Sequence, residues 1–197
     1  ESVAAACLPY GAVDALEAGR VVVLKNWMSP EEATALRADA AACYAAGHFQ
    51  LDALAAKKLK TTGSLEASDE RRVMPSFFAS KGTDGPWVDA SIGNAAARRA
   101  FKSRMASVKA ALGTALERPS LAADGAQTHE MSYTRYGPGA FLARHTDEHH
   151  GMLKIGAKPR PTRRSVSWLV YLNEDWDARS DGGCPVSYTH LRAHETL

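Results

Sequence analysis

The sequence has few of the features that mark secreted, membrane or nucleic-acid-binding proteins. It contains three cysteines, Cys7, Cys43 and Cys184, an odd number at wide spacing that does not form a disulfide framework. We interpret them as small apolar residues, which favours an intracellular location. No apolar run approaches the roughly 20 residues of a membrane span. A net charge of +2 gives no case for binding nucleic acid or an anionic membrane.

What the chain does have is enough apolar material for a core, since 45% of its 197 residues are hydrophobic. This length and composition predict one globular domain. The sequence begins at Glu1 and shows no signal-peptide pattern. We therefore expect a fragment of a longer protein, from which any targeting segment has been lost.

The first part of the chain predicts mostly helices. The β-branched run at 19–24 is the exception and predicts a buried strand. Ser29, Pro30 and Glu32 form a helix start with a capping box, and Gly47 is a natural helix end. One face of this helix is apolar, with Leu36, Ala40, Cys43 and Tyr44 at helical spacing.

Two further patterns precede residue 129. Residues 73–78 predict a short strand that is broken by Pro75. A second long helix is predicted over 94–116, because apolar side chains repeat every three or four residues, at Phe101, Met105, Val108, Leu112 and Leu116. Core packing explains this stripe better than a cofactor-binding role.

From residue 129 onward, the alternation of polar and apolar residues predicts strands at 131–136 and 164–171. Each strand has an apolar face suited to packing on helices and a more polar face that ends in a tyrosine, Tyr136 or Tyr171. The basic stretch 148–163 between them predicts a solvated loop, and 175–177 predict a turn with a buried indole. Helices followed by strands indicate the α+β class.

His145, Thr146 and Asp147 lie between these two strands. Residues two apart in a strand point to the same side, so His145 and Asp147 present an imidazole and a carboxylate together. With one more histidine, these ligands form the facial triad that holds Fe(II) and leaves positions open for oxygen chemistry.

The context of this triplet is specific. A strand and a Gly-Pro-Gly turn precede it, and the string Tyr171-Leu-Asn-Glu-Asp-Trp-Asp-Ala-Arg-Ser-Asp-Gly-Gly183 follows it. Residues 136–183 resemble the Fe(II)/2-oxoglutarate dioxygenases of the prolyl hydroxylase type, especially the hypoxia-factor prolyl hydroxylases and their microbial relatives. The resemblance implies a double-stranded β-helix, or jelly roll, supported by helices. We expect the helical support at 1–128 and the truncated jelly-roll part at 129–184.

The same resemblance implies the chemistry of the site. Fe(II) would be held by His145, Asp147 and a distal histidine, and 2-oxoglutarate would contact Tyr136 and Tyr171. Arg164 aligns with a position near the substrate channel, although a surface salt bridge is equally consistent with its place. The expected partners are O₂ and a peptide or protein substrate, with peptidyl proline the best match. The resemblance also allows ascorbate as an auxiliary cofactor, and it implies release of succinate and CO₂.

The tail departs from the family. Residues 186–196 resemble the conceptual translation of a transposon-library sequencing adaptor, so we expect 185–197 to be non-native. The third iron ligand and the cation for the far carboxylate of 2-oxoglutarate would then be absent, and this chain would be inactive. His149, His150, His190 and His194 remain open as alternative ligands.

Two other classes of function remain open. One is a non-catalytic jelly-roll binding module that has lost its iron. The other is a zinc hydrolase using the same two ligands, which the lack of a nearby general base disfavours.

Overall fold

A computed structural model describes residues 8–51, 70–78, 83–122, 129–142, 150–153, 160–177 and 179–182. These residues form a mixture of helices and antiparallel strands, consistent with the predicted α+β class. The α-helices are α1 (Ala12–Glu17), α2 (Pro30–Ala45) and α3 (Ala95–Ala115), and short 3₁₀ helices cover Pro86–Val88 and Pro119–Ala122. The strands are β1 (Gln50–Leu51), β2 (Arg71–Pro75), β3 (Phe77–Phe78), β4 (Thr83–Asp84), β5 (Ser132–Tyr136), β6 (His150–Leu153) and β7 (Arg160–Arg163).

The largest sheet has three antiparallel strands in the order β1-β2-β5, with β2 in the centre. Its register places Arg71 opposite Tyr136 and Met74 opposite Tyr133. Two hairpins, β3-β4 and β6-β7, complete the described strands. A closed jelly roll is not seen among the described residues, so that part of the expectation stays a prediction.

Helix α2 begins and ends as its sequence predicts. The Ser29 hydroxyl accepts the backbone N–H of Glu32 at 3.2 Å, and the Glu32 carboxylate accepts that of Ser29 at 3.0 Å. These two reciprocal bonds form a capping box. At the other end, Gly47 has φ +80° and the N–H of His48 donates to the Cys43 carbonyl. This Schellman ending requires the left-handed conformation that glycine adopts without strain.

Helix α3 also matches its predicted bounds and apolar stripe. The Asn94 side chain accepts the backbone N–H of Ala97 at 3.1 Å, which caps the helix. Four of the five predicted core residues are buried: Phe101, Met105, Val108 and Leu112. The fifth, Leu116, is half-buried.

The chain divides into two compact units, and the first comprises 1–33, 100–123 and 173–197. The buried residues in its described part include Ala12 and the apolar stripe of α3. Trp27 meets Phe101 edge to face at 6.3 Å, and the Arg104 guanidinium lies 5.3 Å from the Trp27 ring centre. Arg104 also pairs with Glu32 of the capping box. The second unit, 34–99 and 124–172, contains the three-stranded sheet and is described with the candidate site.

Three predictions about strands and loops are wrong. Residues 19–24 belong to none of the described strands, and Val21 and Val23 are 67% and 75% exposed. Local β propensity does not make a strand without a partner that buries it. Residues 164–171 likewise lie outside the described ladders, although their predicted alternation persists: Val166, Trp168 and Val170 are half-buried and the residues between them are exposed. The third error is the loop at 148–163, where β6 and β7 pair as a hairpin.

The turn after Tyr171 is present, but its indole is not buried. Asp177 accepts the backbone N–H of Arg179 on its carboxylate, and its own N–H donates to the Asp181 carboxylate. Trp176 is nevertheless 39% exposed, because these local bonds define the turn without requiring the ring to pack. None of the helices in the described ranges is long and apolar enough to cross a membrane.

Candidate functional site

Strand β5 separates a buried face from a polar face, as its alternation predicts. Met131, just before the strand, and Tyr133 are buried, whereas Ser132, Thr134 and Tyr136 are exposed. A strand projects successive side chains to opposite faces, so the polar side chains of β5 line the same face of the sheet.

Tyr136 ends this polar face and is paired with an arginine that the sequence analysis does not single out. Arg71 lies directly opposite Tyr136 in the antiparallel register. Its Nε donates a hydrogen bond of 2.9 Å to the Tyr136 hydroxyl, and its guanidinium lies 5.3 Å from the centre of the ring. The Tyr136 side chain remains 49% exposed. A phenol and a guanidinium together are donors that suit a carboxylate.

The opposite, buried face of β5 is anchored by Asp39 of α2. The Tyr133 hydroxyl donates to Asp39 Oδ2 at 2.9 Å, and Nη1 of Arg98 lies 2.8 Å from both carboxylate oxygens. The N–H of Asn94 donates to the same carboxylate. The strand that carries Tyr136 is therefore fixed to both long helices through one carboxylate.

Burial and hydrogen bonding oppose each other at Asp39. Burial acts to raise its pKa, but the hydrogen bonds from Arg98, Asn94 and Tyr133 and the charge of Arg98 outweigh it and hold the pKa below its usual value. Burial, together with donation to Asp39, raises the pKa of the Tyr133 phenol far above its usual value. The carboxylate is thus the charged partner and the phenol stays protonated.

Arg98 is satisfied on every side of its guanidinium. Its Nε donates to the Trp87 carbonyl at 2.7 Å, and its Nη2 donates to the carbonyls of Asp89 and Ile92. Gly93 crosses directly over this cluster with φ +49°, where a Cβ would lie 2.8 Å from the Cys43 Sγ and 3.3 Å from Arg98 Nη1. Both the left-handed backbone and the close approach therefore require glycine at this position.

The segment that carries Tyr171 is held by contacts within the second unit. Arg37 of α2 donates from Nε to the Leu172 carbonyl at 2.8 Å, and Arg164 forms an ion pair of 2.8 Å with Glu130. The His129 and Trp168 rings meet edge to face at 5.9 Å. Tyr171 itself is 54% exposed. The structure thus brings Tyr136 to Arg71, and it ties residues 164–172 to α2 and to the residues before β5.

His145 and Asp147 lie outside the described residues, as do His149, His190 and His194. Among the residues that are described, no group of three His, Cys, Asp or Glu side chains is arranged to hold a metal ion. The metal site therefore stays a prediction from the sequence.

Two residues of the buried cluster, Asp39 and Arg98, could have been predicted from the sequence, because each is a charged residue in phase with the apolar stripe of its helix. Asp39 falls three residues after Leu36 and four before Cys43, so it lies within the apolar stripe of α2. Arg98 falls three residues before Phe101, in phase with the stripe of α3. A charged residue at a core position of a helix is seldom fully buried unless it is paired. No comparable sequence pattern points to Arg71, because its contact with Tyr136 is set by the register between β2 and β5.

Comparison with known proteins gives one match. Residues 131–196, about a third of the chain, match the family described as the 2OG-Fe(II) oxygenase superfamily. No curated protein and no solved structure matches the chain significantly. The family match supports a 2-oxoglutarate-dependent oxygenase, an oxidoreductase that uses Fe(II), 2-oxoglutarate and O₂.

The matched region has two further consequences. It contains every candidate site residue from the sequence analysis, namely Tyr136, His145, Asp147, Arg164 and Tyr171. It also extends through the tail that we expect to be non-native. The family implies a jelly roll, whereas the described strands form a small open sheet and two hairpins.

Proposed function

We propose that the parent protein is an Fe(II)- and 2-oxoglutarate-dependent dioxygenase that hydroxylates a peptidyl residue, with proline as the leading substrate. The single observation that carries this proposal is the family match over residues 131–196. The exposed polar face of β5 supports it, because this face carries Tyr136, which precedes His145 by nine residues in the sequence, and it is the face opposite the Tyr133–Asp39 contact with α2.

In this proposal His145, Asp147 and one further histidine hold the iron. The metal and 2-oxoglutarate supply the oxidising chemistry when they are bound, with succinate and CO₂ as products. Ascorbate is an auxiliary reductant implied by the resemblance only. The described donors fit the organic cosubstrate, since a half-exposed phenol beside a guanidinium can bind a carboxylate.

The chain's own residues orient and hold the ligands. Tyr136 would donate a hydrogen bond from its hydroxyl to a carboxylate of 2-oxoglutarate, and Tyr171 would provide a second phenol. Asp39 and Arg98 do not contact the ligand in this proposal. They position Tyr136 indirectly, because Asp39 bonds both Arg98 and Tyr133, and Tyr133 lies in the same strand as Tyr136. Arg164 is proposed to contact the substrate, and its ion pair with Glu130 sets the direction of its guanidinium.

The test is conversion of 2-oxoglutarate to succinate by the purified parent protein, which carries the distal histidine, with added Fe(II) and with and without candidate prolyl peptides. We expect conversion that requires iron and is abolished by His145→Ala or Asp147→Ala. His48→Ala, at the end of α2, is the matched histidine control and should retain activity. Ligand binding with no succinate, in a protein that carries an authentic distal histidine, would favour the non-catalytic binding module, which the family match does not favour.

A further inference from the structure

We propose that residues 20–25 and the pocket beside them bind an extended peptide segment of a partner protein, which adds to this segment as a β-strand. The peptide that fits has apolar side chains at alternate positions and an acidic residue at each end. This surface lies in the first unit, outside residues 131–196 that match the oxygenase family. The inference therefore goes beyond the proposed function and does not depend on it.

The segment has the side-chain pattern of a strand but no strand partner. It begins after Gly19, which has φ +68°, and a turn at its other end contains Asn26, which has φ +54°. Side chains along an extended segment point alternately to opposite sides. Exposure alternates in this way along the segment, with Val21, Val23 and Lys25 exposed and Val22 and Leu24 half-buried. The segment therefore presents a row of valines to solvent.

The backbone of the segment is open to pairing. Within the described part of the chain, the backbone N–H and C=O groups of residues 21–23 form no hydrogen bond with another backbone group. The last such bond before them runs from the Arg20 N–H to the Ala15 carbonyl, at the end of α1. A row of unpaired backbone groups is a template on which another chain can form a strand. In such strand addition the main-chain bonds give affinity, and pockets for alternate side chains give specificity.

A pocket at the end of the segment provides a place for one such side chain. Its volume is about 230 Å³, and it is lined by Pro9, Val23, Leu24, Lys25 and Trp27. Pockets for drug-sized ligands and cofactors usually have volumes of about 300–1,000 Å³. This smaller pocket suits a single large side chain. Because its lining is apolar and aromatic apart from Lys25, we expect an apolar or aromatic residue in it.

The charges at the two ends of the segment favour an acidic partner. Arg20 and Lys25 are both exposed, and neither is part of an ion pair with another described residue. A second copy of the segment would bring cationic ends together in either strand direction, and like charges opposite each other in a sheet are destabilising. A strand with an acidic residue at each end places opposite charges together instead.

The test is binding of a fluorescein-labelled peptide, Glu-Thr-Val-Thr-Val-Thr-Phe-Glu, to the full chain. Fluorescence anisotropy measures the affinity, and hydrogen–deuterium exchange with mass spectrometry reports on the backbone. We expect saturable binding that slows the exchange of the amides at 21–23.

Two N-methylated forms of this peptide distinguish strand addition from simple apolar contact. One is methylated at its two valines and the other at the two threonines that follow them. The N–H groups of successive residues in a strand point to opposite edges, so only one set can face residues 21–23. The peptide methylated on that set should bind about tenfold more weakly, and the other should bind like the unmodified peptide.

A charge exchange tests the ends of the segment. Lys25→Glu should weaken binding of the acid-flanked peptide about fivefold, and it should strengthen binding of the same peptide with lysine at both ends. Lys102→Glu, at an exposed position of α3, is the matched control and should leave both affinities near wild type. Val23→Lys places a charge in the pocket and should weaken binding about tenfold. Circular dichroism should show native helix content in each variant, since Val23 is 75% exposed.

Four results would overturn the inference. The first is a wild-type chain that does not bind the acid-flanked peptide, and the second is equal binding of the two N-methylated peptides. The third is an equal loss in Lys102→Glu, which would show a general charge effect. The fourth is a dimer that protects the amides at 21–23 without peptide, because a second copy would then occupy the segment. Lys25→Glu and the two N-methylated peptides keep the inference testable if Val23→Lys fails to fold.

Discussion

Arg98 and Asp39 form an almost completely buried ion pair, in which Arg98 Nη1 lies 2.8 Å from both carboxylate oxygens. Both side chains are about 2% exposed or less. Burying two charges is costly unless each is paired and hydrogen-bonded, and here Tyr133, Asn94 and three backbone carbonyls complete the bonding.

Removing one partner of this pair should be strongly destabilising. We expect Arg98→Met or Asp39→Asn to lower the free energy of unfolding by about 3–5 kcal/mol, because each leaves an uncompensated buried charge or a set of unpaired polar groups. Urea denaturation followed by circular dichroism measures the change. Arg99→Met, at the exposed position that follows Arg98 on α3, is the control, and its free energy of unfolding should stay near that of wild type. A loss below about 1 kcal/mol in both pair variants would contradict the interpretation.

Replacing Tyr133 tests the third member of the cluster. Tyr133→Phe removes only the hydroxyl that donates to Asp39, so we expect a loss of about 1.5–3 kcal/mol, as for a hydrogen bond to a charged group. Tyr44→Phe is a control on the exposed end of α2 and should cost much less. Equal losses in the two variants would argue against a special role for the Tyr133–Asp39 bond.

The pH dependence of stability should carry the signature of Asp39. Because its pKa is lowered in the folded state, the unfolded chain binds more protons as the pH falls, and stability falls with it. The contribution is fully present above the unfolded aspartate pKa of about 3.9 and is lost as the pH falls through the folded pKa. The free energy of unfolding of wild type should therefore exceed that of Asp39→Asn by less below about pH 4 than at neutral pH. A difference that stays constant down to about pH 2 would contradict this sign.

Cys43 should be unreactive in the folded protein. It is 1% exposed, and burial, reinforced by the charge of Asp39, raises the pKa of its thiol. Only the thiolate reacts with alkylating reagents, so both accessibility and protonation protect it. Treatment with iodoacetamide at pH 7 and peptide mass spectrometry should find Cys43 unmodified, and modified after denaturation in urea. Rapid labelling of the native chain at Cys43 would place it outside the core.

The capping box of α2 offers a separate measure of helix stability. Ser29→Ala removes the acceptor of the Glu32 N–H and should cost about 1 kcal/mol in thermal or urea unfolding. Ser107→Ala, in the exposed middle of α3, is the matched control, and it should be neutral or slightly stabilising because alanine is the better helix former. A neutral Ser29→Ala would show that the cap contributes little.

Metal binding tests the sequence-predicted ligands and the tail together. We expect His145→Ala and Asp147→Ala each to weaken Mn(II) binding at least tenfold, roughly the lower bound for losing a ligand or its support. His190→Ala and His194→Ala should leave it unchanged if 185–197 is non-native. Weakening in either tail variant would instead identify a third ligand in this chain and disprove the adaptor interpretation.

The local rules of helix formation were sufficient to predict much of the structure in the first half of the chain. Ser29, Glu32 and Gly47 define α2 because caps are made between residues a few positions apart, and the stripe from Phe101 to Leu112 defines the buried face of α3. The two faces of β5 followed from alternation alone. In each case the determining interactions are short in sequence, or depend only on which side of an element faces the core.

Pairing between distant residues was decided only by the tertiary structure. The valines at 21–23 have strand propensity but are not part of a described strand, whereas the basic stretch around His150 and Arg163 forms a hairpin. Arg71 meets Tyr136, and Asp39 meets Arg98 and Tyr133, through the register of strands and the placement of helices that lie far apart in sequence. Propensity and periodicity predict the backbone conformation of a residue and whether its side chain faces solvent. They do not predict which distant residue it will contact, because that depends on the free energy of burying the two residues together.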